Sequence, residues 1–125
     1  MYNGIRPEKV LYRMTDVKRE GEITMLKTEK KLENGALFIA LEGELDTLSS
    51  PDFEAELEPL LAETDSLTID FAKLSYISSA GLRVLLAAEQ ALEEKGAEQV
   101  KIVNANNTIR HIFEITGFTD VLSLE

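Results

Sequence analysis

The chain has 125 residues, which is enough for one domain that buries about two-thirds of the surface of its unfolded chain. It has no cysteine and one histidine, which excludes disulfide bonds and thiol catalysis and leaves little for a zinc site, and its formal charge of −10 disfavours nucleic-acid binding. No apolar stretch reaches the roughly 20 residues of a membrane helix, so we expect a cytoplasmic protein that does not insert into a membrane.

The first 24 residues show no sustained apolar period, and we expect residues 1–24 to form a poorly ordered extension. Residues 18–22 would be encoded by purine-rich codons, as a bacterial ribosome-binding site is, and they lie just ahead of Met25. Our hypothesis is that Met25 is the native start and that residues 25–125 form the domain. Sequencing the amino terminus of the protein from its natural host would decide between the two starts.

The first elements of the domain are predicted to be a hairpin and a helix. Residues 23–32 predict an edge strand whose lysines discourage association between edges. Asn34-Gly35 predicts a tight turn, and residues 36–41 form a continuous apolar run that is typical of a strand covered on both faces. Ser50 as N-cap with Pro51 as the first helical residue then predicts the start of the first helix.

After the first helix the chain alternates between strands and helices. Short apolar runs predict the strands, and apolar residues at helical spacing between a cap and a glycine predict the helices. The predicted elements are a strand at 67–71, a helix from the 78–81 turn to about Lys95, a strand at 100–103, a helix capped by Asn106 or Asn107 that ends at Gly117, and a short strand at 121–124. The fold class is therefore α/β: an antiparallel N-terminal hairpin continues into parallel βαβ units, and the mixed sheet packs against three to four helices.

Two loops of this fold carry candidate functional groups. Asp46 and the Ser78-Ser79 turn both follow strands at their carboxyl ends, where sheets of this kind hold functional groups, so Asp46 and Ser79 are predicted to be neighbours. Serine hydroxyls at the start of a helix lie where the helix dipole favours negative charge, so a phosphate could be accommodated there. The alternative is that Ser79 is only an N-cap and that Asp46 only caps a turn.

Several segments, taken in order, resemble the STAS domain of bacterial anti-sigma factor antagonists. They are Gly-Glu-Leu-Asp at 43–46, Asp-Phe at 70–71, Ile-Ser-Ser-Ala-Gly-Leu at 77–82 and Thr-Gly-Phe at 116–118, and the resemblance covers residues 25–125. The central motif of that family usually reads Asp-Ser-(Ser, Thr or Ala)-Gly-Leu, and its first serine is phosphorylated. The resemblance therefore implies phosphorylation at Ser79, with Ser78 at the place of the usual aspartate and Ala80 at the variable place. Ser78 is the second candidate for phosphorylation.

The resemblance implies a partner-switching protein that is not an enzyme and has no cofactor, metal or catalytic residue. In its unphosphorylated form it would bind an anti-sigma factor that is also a serine protein kinase, and so release a sigma factor. Phosphorylation would end this binding, and a serine phosphatase would restore it. The residues implied for partner binding are Asp46, Ser78, Ser79, Ala80 and Gly81. We expect a monomer or a weak dimer.

Two other functions compete with this interpretation. A non-phosphorylated STAS scaffold or adaptor module, working in a signalling or transporter-associated complex, is favoured by the serine at position 78 where the family usually has an acid. A small hydrolase is the other, but the chain has no Gly-x-Ser-x-Gly elbow between a strand and a helix to support a Ser-His-Asp triad.

Overall fold

Within the described residues, six strands form one sheet whose spatial order is the same as the chain order. The computed structural model describes residues 11–19 and 22–125, and the side chains of residues 26–125. The elements are β1 (Leu11–Arg19), β2 (Glu22–Glu33), β3 (Ala36–Leu45), α1 (Ser50–Leu61), β4 (Ser66–Ile77), α2 (Ser79–Glu94), β5 (Lys101–Val103), α3 (Asn107–Thr116), a 3-10 turn (Phe118–Asp120) and β6 (Ser123–Leu124).

The sheet is mixed, as predicted. β2 pairs antiparallel with both β1 and β3, whereas the pairs β3–β4, β4–β5 and β5–β6 are all parallel. A helix connects the two strands of each parallel pair. Each of these connections leads to the adjacent strand, always in the same direction across the sheet. Right-handed crossovers of this kind place all three helices on the same face of the sheet.

The opposite face of the sheet is therefore not covered by these helices. Along β3, Leu37, Ile39 and Leu41 are buried, whereas Phe38 is 40% exposed. The prediction that β3 is covered on both faces is wrong. A continuous apolar run does not show on which side the crossovers pass, and here all of them pass on one side.

The turns and caps that flank the helices largely follow the predictions. Asn34 and Gly35 both have positive φ, which is typical of the two-residue turn of a hairpin. The Asn106 side chain accepts a hydrogen bond from Ile109 N at 2.8 Å and so caps α3, and Gly117 ends that helix at φ +82°. The N-cap of α1, however, is Ser49, one residue before the predicted Ser50.

Strand β4 is longer than predicted, because it continues to Ile77 instead of ending at Phe71. The pairing of β3 with β4 shifts its register twice, between Ala40 and Glu42 and between Gly43 and Glu44. These irregularities interrupt the alternation of buried side chains, so the apolar residues Phe71, Leu74 and Ile77 follow at spacings of three. Strict alternation of buried and exposed residues stops at Phe71, so it predicts a strand that ends six residues before Ile77.

The segment predicted to be an extension carries a strand that the sequence analysis did not predict. β1 pairs with β2 from Leu11 opposite Leu32 to Arg19 opposite Glu22. Pairing of backbone groups along the edge of β2 does not require an apolar period in the added strand, so the hydrophobic pattern gave no sign of it. Residues 1–10, 20 and 21 lie outside the described residues, and the native start at Met25 stays a prediction.

A buried ion pair ties β2 to α1. The Lys30 ammonium pairs with the Glu56 carboxylate, which also accepts a hydrogen bond from the Thr28 hydroxyl at 3.0 Å. Lys30 is 4% exposed, so it does not protect a sheet edge as predicted. β2 is not an edge strand either, because β1 pairs with its other side.

We predict that Glu56→Gln lowers the free energy of unfolding by about 3 kcal/mol, because it leaves the Lys30 charge buried without its counter-ion. Urea denaturation at neutral pH measures this loss. Glu58→Gln, at an exposed position of the same helix, is the matched control and should change the free energy of unfolding by less than about 0.5 kcal/mol. Equal effects of the two substitutions would contradict a role for the pair in stability.

Candidate functional site

The ends of β3 and β4 bring two candidate segments together. The two strands run in parallel to their last residues, where Leu45 is paired with Ile77. Asp46 and Ser78 are the next residues, and Ser78 N donates a hydrogen bond to Leu45 O at 2.9 Å. The predicted juxtaposition of the Asp46 loop with the Ser78-Ser79 turn is confirmed for the backbone.

Gly81 allows the first turn of α2 to pack directly against the end of β3. A Cβ atom at this position would lie 2.8 Å from Ile77 Cγ1 and 2.9 Å from both Leu45 Cγ and Leu45 O. Real Cβ atoms essentially never come this close to such neighbours, and one of these atoms belongs to the backbone, so the position has no room for a side chain. Gly81 is thus needed to hold the start of α2 in place.

Asp46 caps the loop that leads into α1. Its Oδ1 accepts hydrogen bonds from the backbone N–H groups of Leu48 and Ser49, both at 3.0 Å. The Ser49 hydroxyl oxygen in turn accepts a hydrogen bond from Asp46 N and lies 2.9 Å from Glu44 O. The turn-capping alternative for Asp46 therefore describes what this carboxylate does in the structure. The capped loop leaves Leu48 41% exposed beside the start of α1.

The two serines of the turn have different environments. Ser78, with an extended backbone, is the N-cap of α2, and Ser79 is the first helical residue, so the alternative reading of Ser79 as the N-cap is wrong. The Ser78 Oγ atom is buried, and it has no hydrogen-bond partner among the described residues. Ser79 is exposed. Of the two serines, Ser79 is thus the one that another protein can reach.

The first turn of α2 has the electrostatics of an anion-binding position. Its first intrahelical hydrogen bond runs from Leu82 N to Ser78 O, so the N–H groups of residues 79–81 come before the hydrogen-bonded ladder. The first turn carries no acidic side chain to balance the positive end of the helix dipole. Negative charge on the Ser79 side chain would therefore be compatible with the fold.

Two exposed apolar side chains lie on the segments that lead to the serine turn and follow β3, and the sequence analysis did not single out either of them. Leu48 lies on the Asp46 loop, and Tyr76, which is 44% exposed, lies two residues before Ser78 and opposite Glu44. Leu48 does not belong to a run of apolar residues at strand or helix spacing. Tyr76 lies in the part of β4 beyond Phe71, which the sequence did not predict to be a strand. Exposed apolar side chains of this size are common in protein interaction surfaces.

The histidine and the acidic side chains of the described residues bear on the other chemistries. Within residues 26–125, no group of three or more histidine, aspartate or glutamate side chains could hold a metal ion. His111 is exposed on α3, where it lies 3.8 Å from Glu114 rather than beside a serine. None of the described helices is long and apolar enough to cross a bilayer.

Comparison with known proteins places these features in a family. The family model for the STAS domain matches residues 27–125. The anti-sigma-B factor antagonist of Listeria monocytogenes is 30% identical over 98 residues, which cover 78% of this chain and 83% of that protein.

Solved structures show the same fold. The anti-sigma factor antagonist from Mycobacterium paratuberculosis superimposes with a TM-score of 0.70 at 22% identity, covering 79% of this chain and 84% of that one. The Bacillus cell fate determinant SpoIIAA, solved in its phosphorylated form, superimposes with a TM-score of 0.61 at 18% identity, covering 92% of this chain and 91% of that one.

We predict that Gly81→Ala destabilises the protein by about 1–3 kcal/mol, because the added methyl group overpacks the contact with Leu45 and Ile77. At an unconstrained helical position the same change would stabilise by up to about 1 kcal/mol, so the sign of the effect tests the packing. Thermal and urea denaturation measure the change. A Gly81→Ala variant more stable than the parent would contradict the close approach of α2 to β3.

Proposed function

The chain belongs to the STAS domain family, and on that premise we propose that it is an anti-sigma factor antagonist switched by phosphorylation at Ser79. Unphosphorylated, it binds an anti-sigma factor that is also a serine protein kinase, and a sigma factor is thereby released. The observation that carries the proposal is the exposure of Ser79 at the first helical position of α2, beside a Ser78 hydroxyl that is buried. Two relatives of similar sequence or fold are named as anti-sigma factor antagonists, which supports the same role here.

The unmodified surface around Ser79 suits docking to a protein. The small side chains at the start of α2 leave the hydroxyl accessible, while Leu48 on the Asp46 loop and Tyr76 near the end of β4 offer exposed apolar area. A small, neutral hydroxyl costs little to bury against a partner when it finds a hydrogen bond there. The partner would therefore cover Ser79 directly, together with the neighbouring Asp46 loop.

Phosphorylation would weaken binding of the partner and leave the stability of the fold unchanged. The kinase transfers the γ-phosphoryl group of ATP to the Ser79 oxygen, the hydroxyl proton is lost and ADP leaves, which adds a charge of about −1.5 to −2 at neutral pH. The start of α2 tolerates this charge, because it presents N–H groups and the positive end of the helix dipole. A docked partner would have to desolvate the phosphate, and a loss of about 3–4 kcal/mol weakens binding by a few hundred-fold.

The similar SpoIIAA structure in its phosphorylated form supports this division of effects, since a protein of the same fold persists with the modification. The place of the usual aspartate is taken here by Ser78, whose hydroxyl is buried. A kinase would consequently reach Ser79 without competition from its neighbour. A phosphatase would find the phosphate equally accessible on the outer surface of the first turn.

A scaffold or adaptor role without phosphorylation is the second candidate. The observation that favours it is the absence of an acid at position 78, where the family usually has aspartate. A scaffold would use the same exposed residues for docking but would not depend on the Ser79 hydroxyl.

Phosphorylation is tested by incubating the protein with anti-sigma factor kinases from the same genome and ATP, and by mapping the product with mass spectrometry. We expect a single phosphate at Ser79 that is absent from Ser79→Ala and still present in Ser78→Ala. Modification at Ser78 would contradict the site assignment. A kinase that binds tightly but transfers no phosphate would favour the scaffold.

Ser79→Glu tests whether negative charge at position 79 affects partner binding but not stability, because it places a permanent negative charge in the first turn of α2. We expect a thermal midpoint within about 2 °C of the parent and a loss of affinity for the unmodified protein's partner of at least about tenfold. Isothermal titration calorimetry and thermal denaturation measure the two effects. Gln90→Glu is the matched control, because it adds one charge at an exposed position further along α2. A substantially unfolded Ser79→Glu protein would contradict the helix-dipole argument.

A further inference from the structure

Arg83 is an exposed cation one helical turn beyond Ser79. The helical neighbours of Arg83 at spacings of three and four are two alanines, a leucine and Ser79, none of them acidic. Within the part of the chain whose side chains are described, Arg83 takes part in no ion pair. This isolation is unexpected in a chain that has 23 acidic and 13 basic residues.

The spacing between Ser79 and Arg83 is the one that brings side chains together on a helix. Residues four apart lie on the same face with their Cβ atoms about 5–6 Å apart, and an anion four residues before a cation is the favoured orientation. Unmodified Ser79 is neutral, so it forms an ion pair with Arg83 only when it carries a phosphate. The planar guanidinium group matches phosphate oxygens through two parallel hydrogen bonds.

We propose that Arg83 is the intramolecular partner of the phosphate on Ser79 and that this pairing withdraws the Arg83 cation from the docking surface. The proposal rests on the proposed function, because it assigns a positioning residue to the same modification. Phosphorylation then changes the surface twice. It adds a dianion where the partner docks, and it turns the nearest cation of α2 back onto its own helix.

Two acidic side chains lie at the same end of the neighbouring strand β3: Glu44, which is paired with Tyr76, and Asp46, on the loop that follows. The Asp46 Oδ1 atom is held by the backbone N–H groups of Leu48 and Ser49, so Asp46 stays in place and repels the phosphate. Arg83 is therefore the side chain of α2 that can offset this repulsion. Because both acidic residues are present in every variant below, differences between them report on Arg83.

The test uses the full chain with phosphoserine incorporated at position 79 by genetic code expansion, so that no kinase is required. The phosphate is titrated by 31P NMR at low ionic strength in the parent, in Arg83→Gln and in Arg83→Lys. We expect Arg83→Gln to raise the midpoint of the phosphate titration by about 0.3 pH units or more, because a neighbouring cation favours the dianion. Arg83→Lys keeps the charge and should raise the midpoint by less, and added salt should shrink the difference.

The matched control is Lys101→Gln, which removes one positive charge at the amino end of β5, whereas Ser79 follows the carboxyl end of the parallel strand β4. It should leave the midpoint unchanged. An Arg83→Gln midpoint equal to that of Lys101→Gln would overturn the proposal. Since phosphoserine is installed directly, this result is independent of whether any kinase modifies Ser79, and failure of the kinase experiment would leave the pairing intact.

A second pair of variants covers the case in which the phosphoserine protein does not fold. Arg83→Gln is introduced into the parent and into Ser79→Glu, and the thermal midpoints are compared. The fall in midpoint should be larger in the Ser79→Glu background by about 1 °C, because only there does the substitution break an ion pair. Equal falls in the two backgrounds would contradict the pairing.

Discussion

The close contact between the first turn of α2 and the end of β3 is the constraint on which the site depends. Gly81 leaves no space between the helix and Leu45, and the Ser78 N–H group is bonded to the Leu45 carbonyl. These two contacts fix where α2 begins and how it is rotated about its axis. The rotation places the Ser78 hydroxyl inside and Ser79 outside, so an adjacent pair of identical side chains acquires two different environments.

The sheet topology decides which residues surround that turn. Because β3 and β4 are parallel neighbours, their carboxyl ends lie together and their loops converge. The Asp46 carboxylate caps one of these loops, on which Leu48 is exposed. The exposed residues Leu48 and Ser79 thus follow the ends of two neighbouring strands because of ordinary backbone requirements.

Charge is distributed so that a phosphate can be accepted locally although the chain is strongly acidic overall. The start of α2 combines the positive end of the helix dipole with Arg83 one turn later, and it has no acidic side chain in its first turn. The net charge of −10 opposes further negative charge only weakly at this position, because exposed charges beyond about 10 Å are screened by salt. The start of α2 is therefore electrostatically compatible with a phosphate on Ser79.

Local signals in the sequence determined the elements that rest on short-range chemistry. The Asn34-Gly35 turn, the Asn106 cap and the Gly117 stop were predictable because each depends on the conformational preference of one or two residues. The order of strands and helices was sufficient for the mixed sheet, and motif spacing identified the serine turn and the family.

Tertiary structure alone decided the features that depend on distant partners. The bulges that carry β4 to Ile77 and the burial of Lys30 against Glu56 arise from pairing between segments far apart in the chain, which no local pattern records. The same holds for the inward Ser78 and the outward Ser79. Their hydroxyls are chemically equal in the sequence, and only the packing of α2 on β3 makes one of them accessible.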